Sequence, residues 1–222
     1  MTHPEKQIAP ETEGKTIRWP LFYDLLVGAI SLGHEGKMRE ATLSLARLRE
    51  GEKILDVGCG TGTLTLAASR LVGATGELHG IDAAPEMIER ARQKAAKVGI
   101  PARFETAVVE RLPYPDDFFD VVLSSLMLHH LPVKLRGKAL QEMYRVLKPG
   151  GRLLIVDFEP PKGFLARLFI RLGLGERMSR NDLRKNLPLL EAAGFRQIQG
   201  GPTASWMLSY LRGEKGQLHA QA

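Results

Sequence analysis

The residues with the clearest chemical potential stand where a short apolar run, Ile54 to Val57, meets a glycine-rich turn. Gly58, Gly60 and Gly62 alternate with small residues, and a helical pattern follows them. Glycine tolerates the positive φ that a tight turn needs, and the missing side chains let a ligand lie against the backbone at a helix N-terminus. The pattern therefore predicts a nucleotide-type binding site.

The spacing of this turn distinguishes two classes of cofactor. Dinucleotide-binding proteins commonly carry GxGxxG, but Thr63 holds the place of that third glycine here. Asp56 precedes the first glycine by two residues, where its carboxylate would repel a pyrophosphate and suit a cationic amino-acid group. Both features favour S-adenosylmethionine, which has no phosphate, over a dinucleotide.

A second acid, Asp82, closes the next apolar run, Leu78 to Ile81. In a doubly wound sheet the tips of the first two strands are neighbours, and a carboxylate there can accept both ribose hydroxyls. Asp82 also stands shortly before Pro85, so it could instead cap the following helix. We favour ribose binding because Asp56, Asp82 and the glycine turn converge on one edge of the sheet.

Two histidines follow the predicted fourth strand, at the edge where a second substrate should lie. Imidazole is a suitable base near neutral pH, and a base is needed when the methyl acceptor is a hydroxyl, a phenol or an acidic carbon. His129 is the candidate for contacting or deprotonating the acceptor, with packing of the loop as the alternative, and His130 is the weaker candidate. Asp157 could orient His129 or a cationic acceptor, or cap the loop before Pro160. We predict no metal site, because neighbouring histidines on a strand or loop diverge.

Short apolar runs alternate with amphipathic segments after Gly51, which indicates βα units and a parallel sheet. A tail helix should end at Gly194, and two final strands should pair antiparallel through a Gly200-Gly201-Pro202 turn. We therefore expect an α/β, Rossmann-like sheet of seven strands, mostly parallel, with helices on both faces and the last strand antiparallel. The predicted strands are 53–57, 77–81, 103–106, 120–124, 151–157, 196–199 and 205–211, and the predicted helices are 63–71, 85–98, 136–147 and 182–193.

The chain divides into four predicted parts. Residues 1–16 form a flexible arm, 17–50 a helical N-terminal cap, 51–213 the main domain with an insertion at about 160–180, and 214–222 a tail. Within the insertion, Phe164 to Leu174 has one apolar helical face, with Arg167 and Arg171 elsewhere on the helix. This segment could be a lid over the acceptor, a core helix, or an amphipathic contact with an anionic membrane.

Five stretches of sequence carry a family resemblance: LDVGCGTG at 55–62, GIDAAPEMIERAR at 80–92, ERLPYPDDFFDVV at 110–122, LMLHHLP at 126–132 and EMYRVLKPGGRLLIVDF at 142–158. The chain resembles the class I S-adenosylmethionine-dependent methyltransferases, in the branch of the ubiquinone/menaquinone C-methyltransferases. The resemblance implies methyl transfer to a small molecule, most simply a phenolic, quinol-like or otherwise apolar acceptor. A phospholipid-headgroup N-methyltransferase and a non-catalytic cofactor-binding subunit are the alternatives.

The resemblance also implies roles for individual residues. It assigns Thr65 and the backbone of Gly58 and Gly60 to the methionine end of the cofactor. Ala83 and Met87 would line the adenine, and the Val109 N–H would donate to the adenine ring. Ser125 would border the pocket beyond the fourth strand, and Tyr23 would belong to a helix that closes over the site. Val108 is a departure, since the family usually has Asp or Asn there. The hydrogen bond to the exocyclic amine, about 0.5 to 1.5 kcal/mol, is then missing unless Glu110 supplies it.

Composition narrows the remaining possibilities. The chain has 222 residues, a formal net charge of +6 and a single cysteine, Cys59, so no disulfide can form within it. The charges are spread along the chain and no RNA-binding motif is visible, so we do not expect a nucleic-acid partner. No secretory signal or run of about 18 apolar residues is present, which predicts a cytoplasmic protein with at most peripheral membrane contact.

Overall fold

The computed structural model describes residues 12–14, 35–159, 182–205 and 208–217. Most of the predicted arm and cap, including Tyr23, lies outside these residues. The same holds for the predicted insertion and its Phe164 to Leu174 segment. Within the described parts, no helix is long and apolar enough to cross a membrane.

The described residues form one seven-stranded sheet, in the order β3-β2-β1-β4-β5-β7-β6. Strands β1 to β5 pair in parallel, and β7 runs antiparallel to both of its neighbours. The predicted α/β class and the antiparallel last strand are therefore confirmed. The strands are β1 Lys53–Val57, β2 Glu77–Asp82, β3 Arg103–Thr106, β4 Phe119–Ser125, β5 Leu147–Phe158, β6 Arg196–Pro202 and β7 Leu208–Glu214.

Helices cover both faces of this sheet. The α-helices are α1 Glu35–Ala46, α2 Thr63–Val72, α3 Pro85–Val98, α4 Val133–Val146 and α5 Leu187–Ala193, and short 3₁₀ turns span Leu128–His130 and Leu183–Asn186. Helix α3 begins with Pro85, whose missing N–H costs nothing in the first turn. Helix α1 falls inside the range predicted for the N-terminal cap.

Buried side chains alternate along each central strand, so the core has two layers. In β1, Ile54 packs with α1 and α2 on one face, whereas Leu55 packs with α4 on the other. The same alternation places Val121 and Val122 of β4 in opposite layers. This two-sided burial is why the strands read as continuous apolar runs.

Two local predictions were wrong. Leu147 begins β5 instead of ending α4, because the last helical carbonyls already accept the N–H groups of Asp117 and Phe118 and because Leu147 pairs with Phe119. Gly200-Gly201-Pro202 is not a turn but the end of β6. A side chain at Gly200 would meet Leu211 at 2.6 Å, so the glycine permits close approach of the two strands.

The topology fixes where a ligand site can form. From β1 the strand order runs outward through β2 to β3, and from β4 it runs outward in the opposite direction to β5. The strand order therefore reverses between β1 and β4, which are neighbours in the sheet. Ligands of open α/β sheets bind outside the carboxyl ends of the strands at such a point. Asp82, Ser125 and Asp157 lie at or near these ends.

Candidate functional site

The glycine turn leaves β1 in a conformation that side chains disfavour. Gly58, Gly60 and Gly62 have φ of 74°, 53° and 74°. The Gly58 N–H donates to the carbonyl of Ile81 at 2.9 Å, which ties the turn to β2. A Cβ on Gly58 would lie 2.2 Å from the side chain of Met127, so the space beside this glycine is already filled from the β4 side.

Asp82 joins the glycine turn to the start of α3. Its Oδ2 accepts the Gly60 N–H at 3.0 Å and its Oδ1 accepts the Ala84 N–H at 2.9 Å. Ala84 is the N-cap residue of α3 and has no side-chain cap hydrogen bond, so Asp82 holds the loop before the helix and does not cap it as the alternative interpretation expected. Burial raises the pKa of this carboxyl, although the backbone hydrogen bonds oppose the shift. Asp82 also lines the cleft described below, so its backbone contacts are compatible with ligand contact.

Asp56 is buried beneath the turn and held from the first helix. Thr65 donates its hydroxyl hydrogen to Asp56 Oδ2 at 2.6 Å. Burial raises the pKa of Asp56 to about 6, the Thr65 hydrogen bond lowers it, and the Asp82 charge adds to the increase. The acid therefore carries a charge at neutral pH that it lacks in mildly acidic solution.

A cleft of about 690 Å³, counting the space open to solvent at its mouth, lies over this edge of the sheet. The cleft wall brings together many of the residues predicted for the cofactor: Gly58, Gly60, Asp82, Ala83, Met87, Val108, Val109 and Glu110. Asp56, Thr65, Ser125, His129 and Asp157 are not part of that wall.

The cleft wall also contains residues that the sequence did not indicate. Thr12 and Gly14 come from the predicted arm, and Met127 and Leu131 come from the loop after β4. A polar N-terminal segment without periodicity gives no signal that two of its residues reach the cleft. For Met127 the sequence contains only an indirect indication, namely that the missing side chain of Gly58 leaves a space for a neighbouring residue to fill.

Glu110 has an unsatisfied acceptor in this cleft. Its Oε1 accepts the Thr12 hydroxyl at 2.7 Å, whereas its Oε2 is buried and has no hydrogen-bond partner among the described residues. Buried polar atoms in folded proteins almost always have a partner. A ligand with an amino group at this end of the cleft would supply one.

His129 and Asp157 are in direct contact beside the cleft. His129 Nδ1 lies 2.7 Å from Asp157 Oδ1, and the His129 backbone N–H donates to Oδ2 at 2.9 Å. The backbone N–H of Phe158 also donates to Oδ1, at 2.7 Å. Asp157 is fully buried. The arrangement orients the His129 ring, one of the three roles that the sequence suggested for Asp157.

His130, the histidine that the sequence indicated less strongly, is the one in the cleft wall. The rings of His129 and His130 lie 4.0 Å apart between centroids and are tilted by 41°. Among the described residues, the cleft therefore has a histidine on its surface and a histidine-carboxylate pair directly behind it.

Comparisons with known proteins agree with this geometry. A family model described as a methyltransferase domain matches residues 54–151. The ubiquinone/menaquinone biosynthesis C-methyltransferase UbiE of Stutzerimonas stutzeri is 33% identical over 217 residues, covering 87% of this chain and 84% of that protein. The chain belongs to the class I S-adenosylmethionine-dependent methyltransferases. The protein of the same name from Psychromonas ingrahamii is 38% identical over 141 residues, which cover 63% of this chain and 55% of that relative.

Solved structures of methyltransferases share the fold. An S-adenosylmethionine-dependent methyltransferase from Aquifex aeolicus superposes with a TM-score of 0.68 at 25% identity, covering 79% of this chain and 88% of that one. Phosphoethanolamine N-methyltransferase 2 of Haemonchus contortus, in complex with S-adenosylmethionine, gives 0.66 at 17% identity, covering 82% and 53%. The second likeness concerns the fold alone.

The cleft of this methyltransferase suits its cofactor chemically. S-adenosylmethionine offers a ribose with two hydroxyls, an adenine amine and a cationic methionine end. The cleft offers the Asp82 carboxylate and the orphaned acceptor of Glu110, and Asp56 lies buried beneath the glycine turn. The residues present therefore fit S-adenosylmethionine.

Proposed function

We propose that this methyltransferase transfers a methyl group to a ring carbon of a quinol or a related phenolic acceptor. The observation that carries the proposal is the contact of His129 with Asp157 beside the cofactor cleft, where a proton acceptor is needed. The similarity to relatives named as ubiquinone/menaquinone biosynthesis C-methyltransferases supports the choice of acceptor.

The chain's residues have two tasks in such a reaction. When bound, S-adenosylmethionine supplies a methyl group made electrophilic by the adjoining sulfonium. A phenolic ring becomes a sufficiently strong carbon nucleophile once its hydroxyl loses a proton, so the first task is to accept that proton. The histidines after β4, with Asp157 behind them, are placed for this. The second task is to hold both substrates in line, which lowers the barrier by positioning alone.

Cofactor recognition divides among three acids in this proposal. Asp82 accepts the ribose hydroxyls while keeping its bonds to Gly60 and Ala84, since a carboxylate has lone pairs for more than one donor on each oxygen. Glu110 Oε2 accepts the adenine amine in place of the acid or amide that Val108 lacks. Asp56 attracts the cationic methionine end through the glycine turn.

The test is methyl transfer from labelled S-adenosylmethionine to a defined panel. The panel holds a short-chain 1,4-naphthoquinol and 1,4-benzoquinol kept reduced under nitrogen, a simple catechol, and phosphoethanolamine. We expect labelled quinol product whose new methyl group is on a ring carbon, located by NMR. Label on the catechol oxygen alone would overturn the C-methylation proposal, and label on phosphoethanolamine would favour the headgroup alternative. Asp82→Asn serves as the control with impaired cofactor binding.

A further inference from the structure

We propose that His130 is the histidine that contacts the acceptor, and that His129 with Asp157 positions it. This inference rests on the proposed function, because it names the proton-accepting residue for the same site. It departs from the pattern in the sequence, which indicated His129 first.

The His129 ring is held at Nδ1 and largely enclosed. Both its Nδ1 and its backbone N–H are used by Asp157, and its side chain is only 8% exposed. The ring of Phe158 contacts it edge to face at 5.3 Å. Such a ring is fixed in orientation, and it does not form part of the cleft wall.

His130 is turned toward the cleft by the local backbone. Leu126, at the end of β4, has a φ of 56°, a conformation that a leucine adopts only when its surroundings impose it. The Leu126 N–H donates to Val156 at 2.8 Å, and the His130 N–H donates to Met127 at 2.9 Å, closing the 3₁₀ turn. This turn directs one histidine to Asp157 and presents the next one to the cleft.

Charge explains why two adjacent histidines are useful. Since a carboxylate only accepts, the short contact with Asp157 places the Nδ1 proton on His129. A proton taken up by His130 would lie beside the His129 ring, whose centroid is 4.0 Å from that of His130 and which contacts the Asp157 carboxylate. Arg136 is the cation whose charge is coupled to Asp157, and Asp82 and Glu110 are the acids in the same cleft wall. A positive charge formed on His130 would thus have the Asp157 carboxylate one ring away.

The step itself is a proton transfer. The acceptor O–H bond breaks, its electron pair stays on the oxygen, and the proton forms an N–H bond with a ring nitrogen of His130. Once the ring carbon carries the methyl group, its C–H bond breaks and the electron pair restores the aromatic ring, while the ring oxygen takes back a proton from His130. The one proton released per methyl group transferred leaves for solvent through the mouth of the cleft. His129 and Asp157 touch neither substrate in this scheme and act through the position of His130.

Kinetics of matched variants test the proposal. His130→Gln should lower kcat on the naphthoquinol by about 100-fold at pH 7.5 and flatten the pH profile, in line with loss of a general base. His129→Gln should lower kcat by about tenfold or less and keep a pH-dependent limb. The Kd for S-adenosylmethionine and the thermal unfolding temperature are measured for each variant. These controls distinguish a loss of catalysis from a loss of folding or of cofactor binding. Wild-type pH dependence in His130→Gln would overturn the proposal.

A second measurement does not depend on turnover. Histidine ring signals are assigned by NMR from single His→Gln variants, and 2-naphthol is added to the protein saturated with S-adenosylhomocysteine. We expect the His130 signals to shift most, with His79, enclosed by Tyr114 and Phe119, as the unresponsive reference. Shifts confined to His129, or none at His130, would refute the proposal. If the wild type methylates no quinol, the proposed function fails, and this measurement still decides the role of His130.

Discussion

Thr65 on the first helix after β1 donates its hydroxyl hydrogen to Asp56 at 2.6 Å, in a fully buried space. That hydrogen bond favours the charged carboxylate, whereas burial and the nearby Asp82 favour the neutral acid. The balance brings the pKa of Asp56 to about 6, well above the ordinary value of an aspartate. The charge of this buried acid is thereby sensitive to mild acidification.

Cofactor affinity should therefore depend on pH through Asp56. Its charged form attracts the cationic methionine end, so the affinity for S-adenosylmethionine should fall as the pH drops below about 6, and binding near that pH should release a proton. Calorimetry in buffers of different ionisation enthalpy measures both effects. Asp56→Asn should remove the dependence and lower the affinity at pH 8 by roughly 10- to 100-fold, about the value of a charge-assisted hydrogen bond. Unchanged proton release in that variant would exclude Asp56 as the source.

Removing the hydroxyl of Thr65 should move this transition. Because its hydrogen bond lowers the pKa of Asp56, Thr65→Val should raise that pKa, and the affinity should begin to fall at a higher pH than in the wild type. Titrations of S-adenosylmethionine binding between pH 5 and 8 show the shift. Ser69→Ala on the same helix is the control, since Ser69 donates only to the Leu66 carbonyl. Coincident curves for wild type and Thr65→Val would contradict the expectation.

Asp82→Asn should damage both stability and binding. Its Oδ2 accepts the Gly60 N–H, and an amide nitrogen at that place would present a second donor to it. We expect a loss of about 1 to 3 kcal/mol in the free energy of unfolding, together with about 100-fold weaker binding, as expected when two hydrogen bonds to a charged group are lost. Urea unfolding and calorimetry measure the two losses. Glu86→Gln, which removes an exposed charge from the first turn of α3, should change neither by more than a small factor.

His79 should make the protein less stable in mild acid. Burial lowers the pKa of His79 and outweighs the hydrogen bond to Glu77. Between the lowered pKa and the ordinary value of about 6.5, the unfolded chain binds a proton that the folded chain does not, so stability falls as the pH drops through this window. The slope is at most about 1.4 kcal/mol per pH unit.

His79→Leu isolates this contribution from that of Asp56, which acts in the opposite direction. We expect the difference in the free energy of unfolding between wild type and His79→Leu to move in favour of the variant from pH 7.5 to 5.5. Urea unfolding at matched pH values gives this difference. A difference that is constant with pH would show that folding leaves the pKa of His79 unchanged, against this expectation.

Much of the fold and of the cofactor cleft was predictable, because the signals are local. The apolar periods located the strands within a few residues, and the spacing around Gly58 and Gly60 indicated the turn. What failed depended on contacts distant in sequence. Gly200 resembles a turn residue until Leu211 is found in its side-chain space. Likewise, nothing in the sequence around His130 reveals the positive φ of Leu126 or the contact of His129 with Asp157.

The methionine packed against the glycine turn has a consequence for how the two substrates affect each other. Met127 comes from the β4 side of the sheet, yet it fills the space that a side chain on Gly58 would take on the β1 side. A ligand that displaces one loop must therefore move the other. We expect occupancy of the cofactor end to alter the affinity for the acceptor, and thermodynamic reciprocity requires the acceptor to alter cofactor affinity by the same factor.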